Sequence, residues 1–237
     1  MSAEPIDNDL DIAEKIAHRA QQRDERYTQR VITMADKLFA AVFIAEWLFG
    51  IAISIIWSPY TWAGKTRIVN LHIWLAIGLG AAIVSMPLAL IWKKSGATVT
   101  RYTVAFAQML FSALLIHLSG GRIETHFHVF GSLALLGFYF DWKVMIIAAA
   151  TVALDHFVRG LLYPESVYGI ANPEWWRFLE HAFWVVLFVA AIIGFCTFIK
   201  RLRNEDAEET GFIEATLERE RRKSAALERE LAASKGT

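Results

Sequence analysis

Ile116-His117-Leu118-Ser119-Gly120-Gly121-Arg122-Ile123-Glu124-Thr125-His126-Phe127-His128-Val129-Phe130-Gly131 sets three histidines and a glutamate at the joint between two strongly apolar runs. Ionisable side chains are costly in lipid, so at such a joint they are read as a functional site with partners elsewhere in the chain. Working outward, apolar runs fall at 31–58, 70–92, 100–118, 124–141, 144–162 and 175–199, the fourth of them shorter than the rest. Each is near the ~20 residues that cross a bilayer as a helix. The expected fold is an all-α membrane protein, a six-transmembrane helix bundle with a C-terminal cytoplasmic coiled coil. Its parts are a cytoplasmic lead-in helix (1–30), a six-span sensory domain (31–199) and a signalling coil (200–237).

Composition agrees with this reading. The 237 residues are 55% hydrophobic and 13% aromatic, with a mean hydropathy of +0.36, outside the range of soluble domains. The net charge of zero hides a segregation, because charges crowd into 1–37 and 200–237 and leave the middle nearly bare. The one cysteine, Cys196, excludes an intrachain disulfide or thiolate cluster. No nucleotide-binding loop, hydrolase elbow or nucleic-acid motif is present. The first apolar run is too long for a cleaved signal peptide and is expected to stay as an anchor.

Orientation follows from Lys and Arg near the run ends. Arg26, Arg30, Lys37, Lys93, Lys94, Arg101, Lys143, Lys200, Arg201 and Arg203 mark one side, against Lys65, Arg67, Arg122, Arg159 and Arg177 on the other. Both termini are expected to be cytoplasmic, as an even number of spans requires. Trp57, Tyr60, Trp62, Trp92, Tyr102, Tyr139, Trp142, Tyr163, Trp175 and Trp176 flank the runs as an interfacial belt would. Pro87 is expected to kink the second span, Pro59 to close the first and Gly120-Gly121 to cap the third, while Pro164 and Pro173 bracket the longest loop.

At the ends, Ile6, Leu10, Ile12, Ile16 and Ala20 alternate with Lys15, Arg19, Arg23, Arg26 and Arg30, which suits either a basic-faced interfacial helix or a solvated lead-in. After Lys200, Ile213, Leu217, Ser224, Leu227 and Leu231 fit a weak heptad, spoiled by Glu220 and interrupted at Gly211. It reads as a parallel dimeric coil or as a charged solvated tail. The coil leads on to an output domain that these residues do not encode.

Six of the seven histidines lie in or beside the apolar runs, all toward the outer surface of the expected topology. With ~1.5 Å of rise per residue, His117 falls just inside the third span, His128 about 6 Å into the fourth, and His156 and His181 about 9 Å into the fifth and sixth. Neutral imidazoles gathered at one depth where water is scarce point to coordination. The expected ligand set is His117, His126, His128, His156 and His181, with Glu46, Glu124, Asp155, Glu180 and His72 in support. His126 and His128 are turned about 200° apart on a helix, so one of them faces a single site, and His128 is placed ahead of His126. Asp155 and Glu180 can accept from a histidine of a neighbouring helix; Asp155 can equally pair with Arg159, and Glu180 can be an interfacial charge. Glu46, about 16 Å from its span end, must be protonated, paired or a ligand. His72 stands where an interface residue would. Imidazole and carboxylate donors suit iron, zinc or copper(II); haem held between facing histidines is the other arrangement. A centre open to lipid would suit a small apolar gas or a quinone-like redox ligand.

The joint motif His117 to Gly131, with Leu154-Asp155-His156-Phe157-Val158-Arg159-Gly160, Pro164-Glu165-Ser166-Val167-Tyr168-Gly169 and Trp176-Arg177-Phe178-Leu179-Glu180-His181, resembles a histidine-rich membrane input module of bacterial sensor histidine kinases and related signalling proteins. The resemblance covers roughly residues 30–200. The tail Leu227-Glu228-Arg229-Glu230-Leu231-Ala232-Ala233-Ser234-Lys235 is similar to the helix leading into a histidine-kinase dimerisation domain. The resemblance implies a sensor role; a two-component system in the bacterial inner membrane, a homodimer paired through the tail, and a cytoplasmic kinase or other output domain are expected with it. No phosphoacceptor or ATP-binding motif is present, so no catalytic residue is assigned and no nucleic acid is expected as partner.

Two other classes compete. A membrane oxidoreductase carrying haem or non-haem iron is the alternative, although a desaturase-like enzyme would carry closely spaced histidine boxes on its cytoplasmic side. A transporter would need polar residues continuing into the inner leaflet, and the second, third and sixth runs have few there.

Overall fold

The computed structural model describes the backbone of residues 4–57, 60–63 and 66–235, and the side chains of 14–56 and 70–235. Expectations for Ile6, Leu10, Ile12, Pro59 and Lys65, and for the side chains of Trp57, Tyr60, Trp62 and Arg67, lie outside the described residues. The chain is helical almost throughout: α1 (Glu4–Trp57), α2 (Leu71–Trp74), a π-helical turn (Leu75–Leu79), α3 (Gly80–Lys94), α4 (Thr98–Leu118), α5 (Ile123–Leu136), α6 (Trp142–Leu162), α7 (Glu165–Tyr168) and α8 (Arg177–Lys235). The architecture is all-α as expected, with one short non-helical element. An antiparallel hairpin, β1 (Tyr60–Ala63) and β2 (Thr66–Val69), pairs Tyr60 with Val69 and Ala63 with Thr66.

Among the described residues, five helical stretches are long and apolar enough to cross a membrane: Glu14–Ile56, Leu71–Lys94, Thr98–Leu118, Trp142–Leu162 and Arg177–Lys235. The run expected at 124–141 is not one of them. It makes the 14-residue helix α5 and a 3₁₀ turn, Gly137–Tyr139, because Phe140 takes a left-handed conformation (φ 50°) and Asp141 then caps α6 by accepting from the Lys143 N–H at 3.0 Å.

Contacts divide the chain into two compact units, Arg30–Thr197 and the two ends together, Met1–Gln29 with Phe198–Thr237. In the larger unit α4 is central, with 67% of its span buried. It packs against α3, α5, α6 and α7, around Phe39, Phe43, Phe111, Leu115, Leu133 and Met145. The outer faces are apolar instead of charged: Met34, Trp74, Met86, Leu154, Leu162 and Val186 are exposed, which is compatible with helices that face hydrocarbon. Trp92, Trp142, Tyr163, Trp175 and Trp176 are exposed as expected of a belt, but Tyr139 is buried and stacked on Phe39 at 5.7 Å.

Pro87 stays inside α3; the irregularity falls two helix turns and more before it, at Leu75–Leu79. A π turn frees carbonyls from the regular ladder, and here the Trp47 indole N–H donates to Ala76 O at 3.1 Å and Ile77 O at 3.3 Å. Gly80 makes room for that indole, since a Cβ there would stand 2.8 Å from Trp47 Cδ1. At the start of α4, Asp36 of α1 accepts from Tyr139 Oη (2.7 Å), Ser95 Oγ (2.9 Å) and the Gly96 N–H (2.6 Å).

In the smaller unit, the Arg23 guanidinium grips both oxygens of Glu214 at 2.9 Å, and Arg203 Nε lies 2.8 Å from Asp24 while its guanidinium covers the Tyr27 ring. The N-terminal helix thus packs on the tail of the same chain. Gly211 does not interrupt α8; it lies against Ile16. The apolar positions of the tail, Ile213, Leu217, Leu227 and Leu231, remain more than half exposed.

Candidate functional site

The expected histidine set separates into three groups. The first joins three helices: His126 of α5, His156 of α6 and His181 of α8. Ring centres stand 5.5 Å apart for His126–His156, 5.5 Å for His126–His181 and 6.1 Å for His156–His181. His126 Nδ1 lies 2.9 Å from Arg122 O and His181 Nδ1 2.9 Å from Arg177 O, each one helical turn back. A carbonyl only accepts, so both rings carry their proton on Nδ1 and present Nε2 as a lone pair. Among the described residues, His126 Nε2 is buried without a hydrogen-bond partner. The ring that joins His156 and His181 is therefore that of His126, a correction to the ranking of His128 ahead of it. The cause is the face of α5 that packs inward.

Asp155 stands beside His156, its Oδ2 3.2 Å from Nδ1 but off the line of a hydrogen bond, so Nδ1 is unpartnered. Its stronger tie is to Arg159, which binds both carboxylate oxygens at 2.7 and 2.5 Å. The ion-pair reading of Asp155 is thus the one that forms. Backbone carbonyls take the places that Asp155 and Glu180 were expected to take across helices, and Glu180 lies exposed at the edge of the group. The Tyr168 ring covers His181 at 5.4 Å, and burial pushes its hydroxyl pKa up, so it stays neutral. An apolar cavity of about 800 Å³, walled by Val129, Phe130, Val152, Phe178 and Phe188, opens onto all three imidazoles.

The second group is a buried polar network. His128 Nε2 lies 2.9 Å from Glu46 Oε1, which also accepts from Gln108 Nε2 at 2.6 Å. Gln108 donates its other N–H to Ser132 Oγ at 2.9 Å, and Ser112 Oγ lies 2.9 Å from His128 Nδ1. Both ring nitrogens of His128 are occupied, and Glu46 is paired as its depth demanded. Glu124, expected to share a site with His128, instead faces Arg122 at 3.4 Å and is exposed. Gln108, Ser112 and Ser132 were missed by reading the sequence, although Gln108/Ser112 and His128/Ser132 each repeat at i, i+4 within apolar runs.

The third group pairs His117 with His72, ring centres 5.0 Å apart. His117 Nδ1 lies 2.8 Å from Ser166 Oγ, which takes a hydrogen bond from Arg159 at 2.8 Å. This loop is held by glycine. Gly120 and Gly121 end α4 at φ +72° and +73°, and a Cβ on Gly121 would stand 2.3 Å from Gly169 N. Gly121→Ala is expected to cost about 2–4 kcal/mol, combining left-handed strain with a backbone clash. A melting temperature within error of wild type in detergent would refute it.

Among the described residues, no group of three or more His, Cys, Asp or Glu side chains is set, as it stands, to hold a metal ion. No protein-family model matches the chain, and no solved structure does. Over 122 residues, half of the chain, it is 31% identical to transducer protein Htr8 of Halobacterium salinarum. The likeness is to a transducer. The chain matches 18% of that relative's length.

Proposed function

We propose that this chain is the membrane-embedded input module of a signal transducer, with His126, His156 and His181 as its sensing centre for a transition metal. The observation that carries the reading is the gathering of three imidazoles from three helices, two with Nδ1 engaged by a carbonyl one turn back. Metal-binding histidines are oriented in that way, through the nitrogen that does not bind. Two imidazoles on one ion, at metal–nitrogen distances of about 2.1 Å, have ring centres roughly 4.5–5.5 Å apart. The trio's 5.5, 5.5 and 6.1 Å lie at and just beyond that range, so a small inward rotation of His156 and His181 would close it. Iron, copper(II) and zinc suit such donors, and the apolar cavity suits a small gas or redox ligand reaching the centre through lipid. Similarity to a transducer over half the chain supports the signalling role. Elemental analysis and an optical spectrum of the detergent-purified protein test it. Stoichiometric metal without a Soret band is expected; a Soret band would assign haem. Metal-free protein whose melting temperature ignores added iron, copper and zinc would overturn the reading, because a ligand of the native state must stabilise it.

The same reading takes α5 as a short sixth span, with both termini cytoplasmic in an inner membrane. It takes α8, unbroken from Arg177 to Lys235, as the lever to a cytoplasmic output of transducer or histidine-kinase type. The exposed stripe Ile213, Leu217, Leu227 and Leu231 pairs with a second copy in a parallel coil. A coupling of about 1–3 kcal/mol between centre and coil suffices to bias an output. Spin labels at position 217 are expected to give one short interchain distance that changes on metal removal; a monomer, or an unchanged distance, would sink the coupling.

A further inference from the structure

His72 and His117 form a second imidazole pair that the sensing centre does not use. His72 lies in the first turn of α2, next to the cap in which Asn70 accepts from its backbone N–H at 3.0 Å. His117 lies in the last turn of α4. Their ring centres, 5.0 Å apart and steeply inclined at 63°, fall inside the roughly 4.5–5.5 Å spacing of two imidazoles on one ion. Among the described residues, His72 Nδ1 is buried without a hydrogen-bond partner, a loss of about 1–3 kcal/mol unless something else engages it. Both rings face a recess of about 310 Å³ that Tyr163, Glu165, Ser166 and Gly169 complete. None of the His126, His156 and His181 rings borders that recess, and neither His72 nor His117 borders the larger cavity.

The surroundings suit a cation. Arg159, the cation that bonds Ser166, is already neutralised by its two-point grip on Asp155. Ser166 Oγ accepts from Arg159 and stands 2.8 Å from His117 Nδ1, so it can accept a hydrogen bond from the Nδ1–H of a His117 ring whose Nε2 holds the ion. This is the outer partner that orients a metal-binding imidazole. We propose that His72 and His117 form a second, two-imidazole site for a borderline divalent cation, Zn²⁺ or Cu²⁺, separate from the His126–His156–His181 centre. Imidazole nitrogens are donors that such ions take, with water completing the shell, whereas magnesium and calcium prefer oxygen alone. Ser166 is the positioning residue. The site goes beyond the function proposed above and does not rest on it.

Zinc titrated calorimetrically into metal-stripped, full-length protein in detergent tests the site, in a His18→Ala background that removes the exposed imidazole of the N-terminal helix. The parent is expected to bind two equivalents per chain. His72→Ala and His117→Ala each bind one, and His181→Ala also binds one, the other. Ser166→Ala weakens the His72-dependent equivalent ten- to hundredfold and leaves the other unchanged. Retention of parental stoichiometry and affinity in both His72→Ala and His117→Ala overturns the site, even where His181→Ala loses zinc and the sensing centre stands. Zinc lost with His72 and His117 but untouched by His181→Ala keeps this site and removes the sensing centre. His72→Gln, with the melting temperature of the metal-free parent, guards against a folding defect. If it too binds both equivalents, the proposal is wrong.

Discussion

His126→Ala protein, purified from membranes, is expected to hold its transition metal at least about a hundredfold more weakly than wild type, with His156→Ala and His181→Ala close behind. Loss of an outer partner of a metal ligand already costs ten- to hundredfold in affinity, and each of these changes removes a ligand outright. His126 leads the series because its ring is 5.5 Å from each of the other two, which are 6.1 Å from one another. Its loss leaves the widest pair. His128→Ala is the informative contrast: only two residues away, it faces Glu46 and Ser112, so it should lower stability and keep the metal. Occupancy is read by elemental analysis, and affinity by the rise in melting temperature, since saturation at a hundred times Kd adds about 2.7 kcal/mol. Full occupancy in all three alanine variants, or its loss in His128→Ala alone, would show that the metal sits elsewhere.

How much of this was legible beforehand depended on whether the deciding interaction is local. The long helices follow from hydropathy over stretches of about 20 residues, and the Gly120-Gly121 turn from the left-handed conformations that glycine alone adopts freely. The hairpin was missed although Tyr60-Thr61-Trp62 and Thr66-Arg67-Ile68-Val69 are rich in β-branched and aromatic residues around Gly64-Lys65, a strand signal. Their aromatics were read as membrane anchors. Apolar composition also ran past the end of α5, because hydropathy does not register the backbone reversal at Phe140. The 200° between His126 and His128 says that they part company, but which one meets His156 depends on how α5 rolls against α6 and α8. His72 and His117 are 45 positions apart, with no local periodicity to join them. The tail was the hardest part. Its grip on the N-terminal helix runs through exposed ion pairs, Arg23–Glu214 above all, which look in sequence like any solvated charges.

Asp36→Ala is expected to destabilise the bundle by about 3 kcal/mol or more, comparable to truncating a buried Leu or Ile to Ala. Asp36 is fully buried and its carboxylate ties together three places distant in sequence: α1 itself, the Ser95-Gly96 turn before α4, and Tyr139 after α5. Hydrogen bonds to an ionised acceptor contribute about 1.5–3 kcal/mol each, and they do not simply add, because removing the acceptor frees three donors at once. The Ser95 and Tyr139 hydroxyls can turn toward other acceptors; the Gly96 N–H, fixed in the backbone, cannot. Asp36→Asn should be much milder, about 1 kcal/mol, since the amide oxygen can keep Ser95 and Gly96 while its NH₂ donates to the Tyr139 oxygen. Tyr139→Phe should fall between them, because it preserves the stack on Phe39 and removes one donor only. The order Ala, Phe, Asn, from most to least damaging, is what a clamp held by its three contacts, and not by its charge, demands. Denaturant titration of the detergent-solubilised variants by helical circular dichroism measures it. An Asp36→Asn loss equal to that of Asp36→Ala would mean that the negative charge itself, and not the three acceptor contacts, holds α1 at that end of the bundle.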